Sequence, residues 1–259
     1  MNPASRISAV VDIFCSVAQN AHQVNGWTTW LEKSGAPVRD DSVMLALQAV
    51  RKELRILHAK MKLVGVPENL YQRSLAGITE AFQTVYLHQA WGNVQAKVTA
   101  ADVRANLAWM SWVLSRFDEI DIDADALNAL LEAISDQESL LENSELPDGL
   151  RELLESQVEE LRVALMLYRV NGVQPIVDAV NKQSGEMRNA PAELVTAVAS
   201  AGPEAQGAVN KGMELISKAA KVAESGSKIV KFGKDLYELG VSGYAAFGQL
   251  LIQGPPAGN

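Results

Sequence analysis

The sequence predicts an all-α protein, a multi-helix bundle with a long C-terminal amphipathic helix striped with glycine and alanine. Two observations support this fold class. Hydrophobic residues make up 48% of the 259 residues, but aromatic residues make up only 6%. Such an aliphatic composition favours helices over sheets. The apolar residues also recur every three or four positions, as on one face of a helix, rather than in the alternating pattern of strands.

The N-terminal region is predicted to form one helix and then a loop. Residues 5–22 carry apolar side chains at helical spacing and therefore predict the first helix. Gly26, Gly35 and Pro37 indicate a loop around a short helical piece that contains two tryptophans. This connection is expected to lead into the first long helix.

Two long helices are predicted next. Asp41 or Ser42 can cap the start of a helix that ends near Gly65. Pro67 can take the first position of the following helix, which is expected to run towards Val98.

A capping signal and a pair of tryptophans mark the middle of the chain. Thr99, with Asp102 three residues later, resembles a capping box and predicts a new helix start. Trp109 and Trp112 lie one turn apart on this helix, and we interpret them as core or interface anchors. A short acidic loop then leads into a helix over residues 126–142.

The next two helices are bounded by proline and glycine. Pro147 restarts the chain as a long helix that the Asn171-Gly172 pair ends. Pro175 opens a brief helix that is expected to end about Gly185.

The composition changes after residue 185. Residues 186–205 are rich in alanine, proline and glycine, and residues 191–200 predict a short helix within them. Gly202 and Pro203 then break the chain before a long helix. We therefore divide the chain into a helical body, residues 1–185, and a C-terminal module, residues 186–259.

The C-terminal module contains a seven-residue repeat whose first position is small. Because seven residues make nearly two helical turns, these positions fall on one line of a helix. An interior glycine costs about 0.5–1 kcal/mol relative to alanine, so the line indicates that another backbone approaches closely. We expect the helix to pack on its own body or on a second subunit through this small-residue stripe. The stripe and its flanking residues are Gly212, Ala219, Gly226, Gly233, Gly240, Leu215, Val222, Ile229, Leu236, Val230 and Tyr237.

Charge and composition exclude several classes of protein. The net charge of −8 argues against a general nucleic-acid binder, which needs a positive field. Cys15 is the single cysteine, which excludes an internal disulfide and fits a reducing compartment. Asp12 interrupts the apolar stretch after Arg6, so the N-terminus is a poor secretory signal. We expect a cytoplasmic protein that needs no cofactor.

Four acidic residues share the spacing of a calcium-binding loop. Asp121, Asp123, Asp125 and Glu132 reproduce positions 1, 3, 5 and 12 of that loop. Ala126 stands where the loop needs glycine for its sharp turn, and the following residues favour a helix. The alternative is an acidic helix start, since aspartate is favoured there by capping and by the helix dipole.

A basic helix face contains the remaining candidate for catalysis. Arg51 and His58 are separated by six residues, and this pair resembles the Arg-x4–6-His element of all-helical HEPN ribonucleases. The resemblance implies that Arg51 binds phosphate and that His58 acts in acid–base chemistry at a dimer interface. It covers eight residues, and Lys52 replaces the usual polar residue. A solvated or salt-bridged face is the alternative interpretation.

A second resemblance covers residues 146–187. The segment LPDGLRELLESQVEELRVALMLYRVNGVQPIVDAVNKQSGEM is similar to a block of uncharacterised bacterial all-helical proteins. Such proteins are associated with phage defence or toxin systems. The resemblance implies that setting and assigns no residue a role.

These patterns favour a non-enzymatic interaction or effector protein whose C-terminal helix docks or self-associates. Its expected partner is a protein, either a second copy or another chain, and no nucleic acid is expected. One alternative is a membrane-active effector that binds a membrane surface after release from an autoinhibited bundle. The other is a HEPN-like ribonuclease.

Overall fold

The computed structural model describes residues 1–189, 196 and 202–226, and the regular secondary structure of these residues is entirely helical. The all-α prediction is thus confirmed. No helix in the described ranges is long and apolar enough to span a membrane. Ten α-helices lie in these ranges: α1 (Pro3–Cys15), α2 (Gln23–Lys33), α3 (Asp40–Leu63), α4 (Gln72–Ala81), α5 (Ala96–Thr99), α6 (Ala101–Val113), α7 (Ala124–Asn143), α8 (Asp148–Asn171), α9 (Gln174–Arg188) and α10 (Pro203–Gly226).

Two compact units make up the chain. The first comprises Met1–Glu119 and Met166–Gly172, and the second comprises Ile120–Leu165 and the described residues from Val173 onward. Helix α8 contributes its first part to the second unit and its last residues to the first. Residue 185, where the sequence-based division lies, falls within the second unit.

Aromatic side chains form the centre of the first unit. The Phe14 ring centroid lies 5.0 Å from those of Trp27 and Phe82 and 5.1 Å from that of Trp91. All four side chains are buried. The indole Nε1 of Trp91 donates a hydrogen bond of 3.2 Å to the Phe14 carbonyl, so the cluster is also tied to the backbone.

Gly26 lies inside helix α2, and its prediction as part of a loop was wrong. The Phe14 ring causes the difference, since its nearest atom lies 2.3 Å from the place where a Cβ of residue 26 would stand. Only glycine leaves room for the ring. Gly35 follows the helix with φ +68, so the loop prediction is confirmed there.

The predicted helix from Pro67 to Val98 is broken into short pieces. Helix α4 ends at Ala81, and 3-10 turns follow before α5. In this region, Trp91 N donates to Ala21 O at 2.7 Å and Gly92 N donates to Gln19 O at 2.8 Å. These contacts use backbone groups that a continuous helix would occupy. They also hold the segment after α1, which ends at Cys15 rather than near residue 22.

Two predicted caps were also wrong. Helix α3 begins at Asp40, so Asp41 and Ser42 lie within its first turn. Thr99 ends α5, and its hydroxyl donates to Gln95 O at 3.1 Å instead of capping the next helix.

The second unit contains α7, α9, α10 and most of α8. Helix α10 packs against α7 and α9. Its start after Gly202 confirms the predicted break, because Gly202 has φ +85. The end of α8 before Gly172, with φ +66, is confirmed as well. The predicted short helix over residues 191–200 lies outside the described residues except at residue 196, as does the stripe beyond Gly226.

Candidate functional site

Helix α10 buries the described half of the small-residue stripe in the second unit. The buried side is apolar and mostly small, whereas the opposite side carries exposed lysines and glutamates. The pattern is that of an amphipathic helix on its own body. Its buried residues are Ala205, Ala208, Val209, Gly212, Leu215, Ile216, Ala219, Ala220, Val222, Ala223 and Gly226.

Gly212 lies against the side chains of two residues of a neighbouring helix. A Cβ at residue 212 would stand 2.8 Å from Leu154 Cδ2 and 2.9 Å from Gln157 Oε1, both on α8. Real Cβ atoms do not approach so closely, so any larger residue must displace α8 side chains. Both atoms are the ends of buried side chains, so the contact at Gly212 is made by side chains of α8 and not by its backbone.

Gly226 is the second close approach. A Cβ there would stand 2.9 Å from Ile122 Cγ1 and 3.1 Å from Val173 Cγ2. Both neighbours belong to the second unit. At both Gly212 and Gly226 the neighbouring atoms belong to side chains, so neither glycine shows the close approach of another backbone that the spacing predicted.

Two buried glutamines hold the backbone of α10. Gln157 Nε2 donates to Gly212 O at 2.8 Å, and Gln137 Nε2 donates more weakly to Ala208 O at 3.4 Å. The two carbonyls lie one turn apart on the same side of the helix. Small side chains at 208 and 212 leave these carbonyls accessible, so the amides fix the position of α10 along its axis.

The stripe residues beyond the described part are Ile229, Val230, Gly233, Leu236, Tyr237 and Gly240. They lie outside the described residues, so their contacts stay a prediction. Within the described part, Gly212, Leu215, Ala219, Val222 and Gly226 are all buried in the second unit.

His58 lies in a small polar cluster on the first unit. Its Nε2 is 3.3 Å from the Glu68 carboxylate, and its ring centroid is 5.7 Å from that of Tyr71. Arg51 lies two turns earlier on α3, about 10 Å away along the axis. Among the described residues, the Glu68 carboxylate lies within 3.3 Å of His58, while Arg51 lies two turns away on the same helix.

Tyr71 carries a buried hydroxyl for which the structure shows no hydrogen-bond partner. Burial, with a smaller contribution from the Glu68 charge, raises the pKa of Tyr71 above its usual value of 10.0. The neutral hydroxyl is therefore the form that the folded state favours. The raised pKa makes the stability of the fold depend on pH. Stability is highest below the pKa that Tyr71 has in the unfolded chain, and it falls as the pH rises through the higher pKa of Tyr71 in the folded chain.

Replacing Tyr71 with phenylalanine is expected to leave the free energy of unfolding at pH 7 unchanged or to raise it by up to about 1 kcal/mol. No hydrogen bond is lost, and a desolvated hydroxyl is removed. The variant should also lose less stability above about pH 10 than the wild type does. Urea unfolding at both pH values measures this, and a loss above about 1 kcal/mol at pH 7 would contradict it.

The four acidic residues of the calcium-like spacing lie along the start of a helix. Asp121 and Asp123 precede α7, Asp125 lies in its first turn, and Glu132 lies two turns further on. Among the residues that the structure describes, no three His, Cys, Asp or Glu side chains are placed to hold a metal ion. The helix keeps Glu132 away from the aspartates, which a calcium loop would bring together.

A buried ion pair in the first unit was missed by the sequence analysis. Arg6 is 3% exposed and Glu53 is fully buried, and Arg6 Nε and Nη2 reach Glu53 Oε1 at 2.9 and 2.6 Å. Arg6 Nη1 also lies 3.0 Å from Glu119 Oε2. One signal was present, because Arg6 is four residues from Val10 on the apolar side of α1.

The end of α8 completes this ion-pair network. Asn171 Nδ2 donates to Glu53 Oε2 and to Ala49 O, both at 3.0 Å. A Cβ at Gly172 would stand 2.0 Å from Glu119 Oε2. Each Glu53 oxygen therefore has a donor, and the network ties α1, α3 and the end of α8 together as a structural element.

Together, the fold and these contacts define an all-helical protein with closely packed helices. Compared with known proteins, the chain matches no family model, no curated protein and no solved structure.

Proposed function

We propose that this chain is a non-enzymatic helical interaction protein whose small-residue stripe binds a second protein or another copy of the chain. The close approach at Gly212 carries this proposal. It supports the view that the seven-residue spacing marks positions where other helices touch the stripe. A bacterial defence or toxin system is the setting that the resemblance of residues 146–187 implies.

The sequence repeats the same pattern after the described half of the stripe. Gly233 and Gly240 continue the line of Gly212, Ala219 and Gly226 without a change in spacing. Helices α7, α8 and α9 already cover the described half. The proposal therefore assigns the second half to a partner.

Charge favours a protein as that partner. The net charge of −8 disfavours a nucleic acid. The exposed side of α10 mixes Lys211, Lys218 and Lys221 with Glu214 and Glu224, so it presents no uniform field to an anionic polymer. Small-residue helix packing instead depends on close fit with another helix.

In the full-length chain, replacing Gly233 and Gly240 together with leucine is expected to weaken association at least about tenfold. Two bulky side chains would block close approach, and tenfold corresponds to about 1.4 kcal/mol. Light scattering after size exclusion measures self-association. Capture of a binding protein by wild type, lost in the double variant, measures docking.

Gly207→Leu is the matched control for this experiment. Gly207 also lies in α10, but a Cβ there meets nothing within 4 Å, so mass and binding should stay unchanged. Equal behaviour of wild type and the double variant would refute the proposal. If the full chain alone, with no protein partner added, floats with anionic vesicles, the membrane-active alternative is favoured instead.

A further inference from the structure

Helix α6 turns an apolar line towards solvent. Its opposite side, with Val103, Leu107 and Met110, is buried, and α6 packs against α1 and α5. Trp112 is 74% exposed, although tryptophan is a residue that proteins usually cover. The exposed line, called here the α6 face, consists of Ala101, Ala105, Ala108 and Trp112.

The α6 face combines one large side chain with small ones, as a contact between two identical faces requires. Trp112 is a large exposed side chain, and Ala105 and Ala108, one to two turns earlier, are small exposed ones. A twofold contact needs one patch that holds both a projection and the recess for it. We propose that α6 pairs antiparallel with α6 of a second copy, with Trp112 of each chain lying over Ala105 of the other.

Charge complementarity supports the antiparallel arrangement. When Trp112 lies over Ala105, the twofold axis passes between residues 108 and 109. The 3-10 turn that follows α6 and contains Arg116 then lies beside the start of α6 of the second copy, which contains Asp102. Asp102 and Arg116 are both exposed, so two opposite-charge pairs form at the ends of the contact. In a parallel pairing, Asp102 of one chain would lie beside Asp102 of the other, and no opposite-charge pair would form.

The size of the contact sets the expected affinity. A 13-residue helix is about 20 Å long. One helix face buries less than the roughly 800 Å² per partner of a standard interface. The dimer is therefore expected to have a Kd on the order of 10 μM rather than nanomolar.

Sedimentation equilibrium of the full-length chain from about 1 to 200 μM tests the self-association. Trp112→Glu is expected to weaken it at least about tenfold, because a charge replaces the largest apolar side chain of the contact. The matched control is Leu63→Glu, since Leu63 is also 74% exposed but lies at the end of α3. Wild-type protein that stays monomeric throughout, or equal effects of the two variants, would overturn the proposal.

Disulfide cross-linking tests the pairing itself, separately from any association through the small-residue stripe. In a Cys15→Ser background, Ala108→Cys lies beside the twofold axis and is expected to form a covalent dimer on mild oxidation. Ala101→Cys lies on the same exposed line, but its two copies would be about 20 Å apart. Cross-linking at 108 alone supports the antiparallel pair. Cross-linking at both positions, or at neither, overturns it.

Discussion

Replacing Arg6 with methionine is expected to lower the free energy of unfolding by about 3–5 kcal/mol, because the variant leaves a buried carboxylate without its cation. Glu53 is fully buried, and its Oε1 accepts from Arg6 at 2.6 and 2.9 Å. Asn171 would still donate to Glu53, but an amide does not neutralise the charge. Urea unfolding followed by far-UV circular dichroism measures the loss.

Two further variants separate the buried ion pair from general packing. Glu119→Gln changes the outer partner of Arg6, which is 31% exposed, and should cost no more than about 1 kcal/mol. Replacing both Arg6 and Glu53 with methionine should recover most of the loss, since removing a whole buried pair is often neutral. A double variant as unstable as the sum of the single variants would contradict this account.

Several helix ends were predictable because local chemistry sets them. Gly65, Gly172 and Gly202 have φ values of +77, +66 and +85, a region that glycine enters without a steric penalty. Each follows or precedes a helix where the sequence analysis placed a boundary. Because glycine is the residue that takes up a positive φ most easily, such a helix end can be predicted from the residue type alone.

Other boundaries depend on contacts distant in sequence and were not predictable. Gly26 resembles a loop residue until the Phe14 ring is seen to occupy the space of its Cβ. The segment after Ala81 has helical spacing, but Trp91 bonds to the backbone of Ala21 and brings its ring into the aromatic cluster. Tertiary packing overrode local preference at both places.

In the candidate site, too, local spacing was predictable and contacts between residues distant in sequence were not. Periodicity predicted which line of α10 is buried, because spacing alone defines a helix face. It could not show that Leu154 and Gln157 are what Gly212 meets. The pair of Arg6 and Glu53 escaped notice because charged residues are expected at the surface unless a buried partner is known.

Replacing Gly212 with leucine is expected to destabilise the second unit by about 3 kcal/mol, at the upper end of typical overpacking costs. The first atom of the new side chain already meets Leu154 Cδ2 at 2.8 Å and Gln157 Oε1 at 2.9 Å. Pushing Gln157 aside would also break its hydrogen bond to Gly212 O. Urea unfolding of the full chain, compared with wild type, measures the change.

Gly207→Leu should change stability in the opposite direction. Gly207 is exposed in the same helix with nothing within 4 Å of its Cβ position, so leucine adds helix propensity without a clash. A gain of about 0.5–1 kcal/mol is expected. Opposite signs at residues 207 and 212 would show that small size, rather than glycine flexibility, is what the stripe requires. Changes of the same sign at both residues would mean that the contacts of Gly212 with Leu154 and Gln157 do not limit the stability of the second unit.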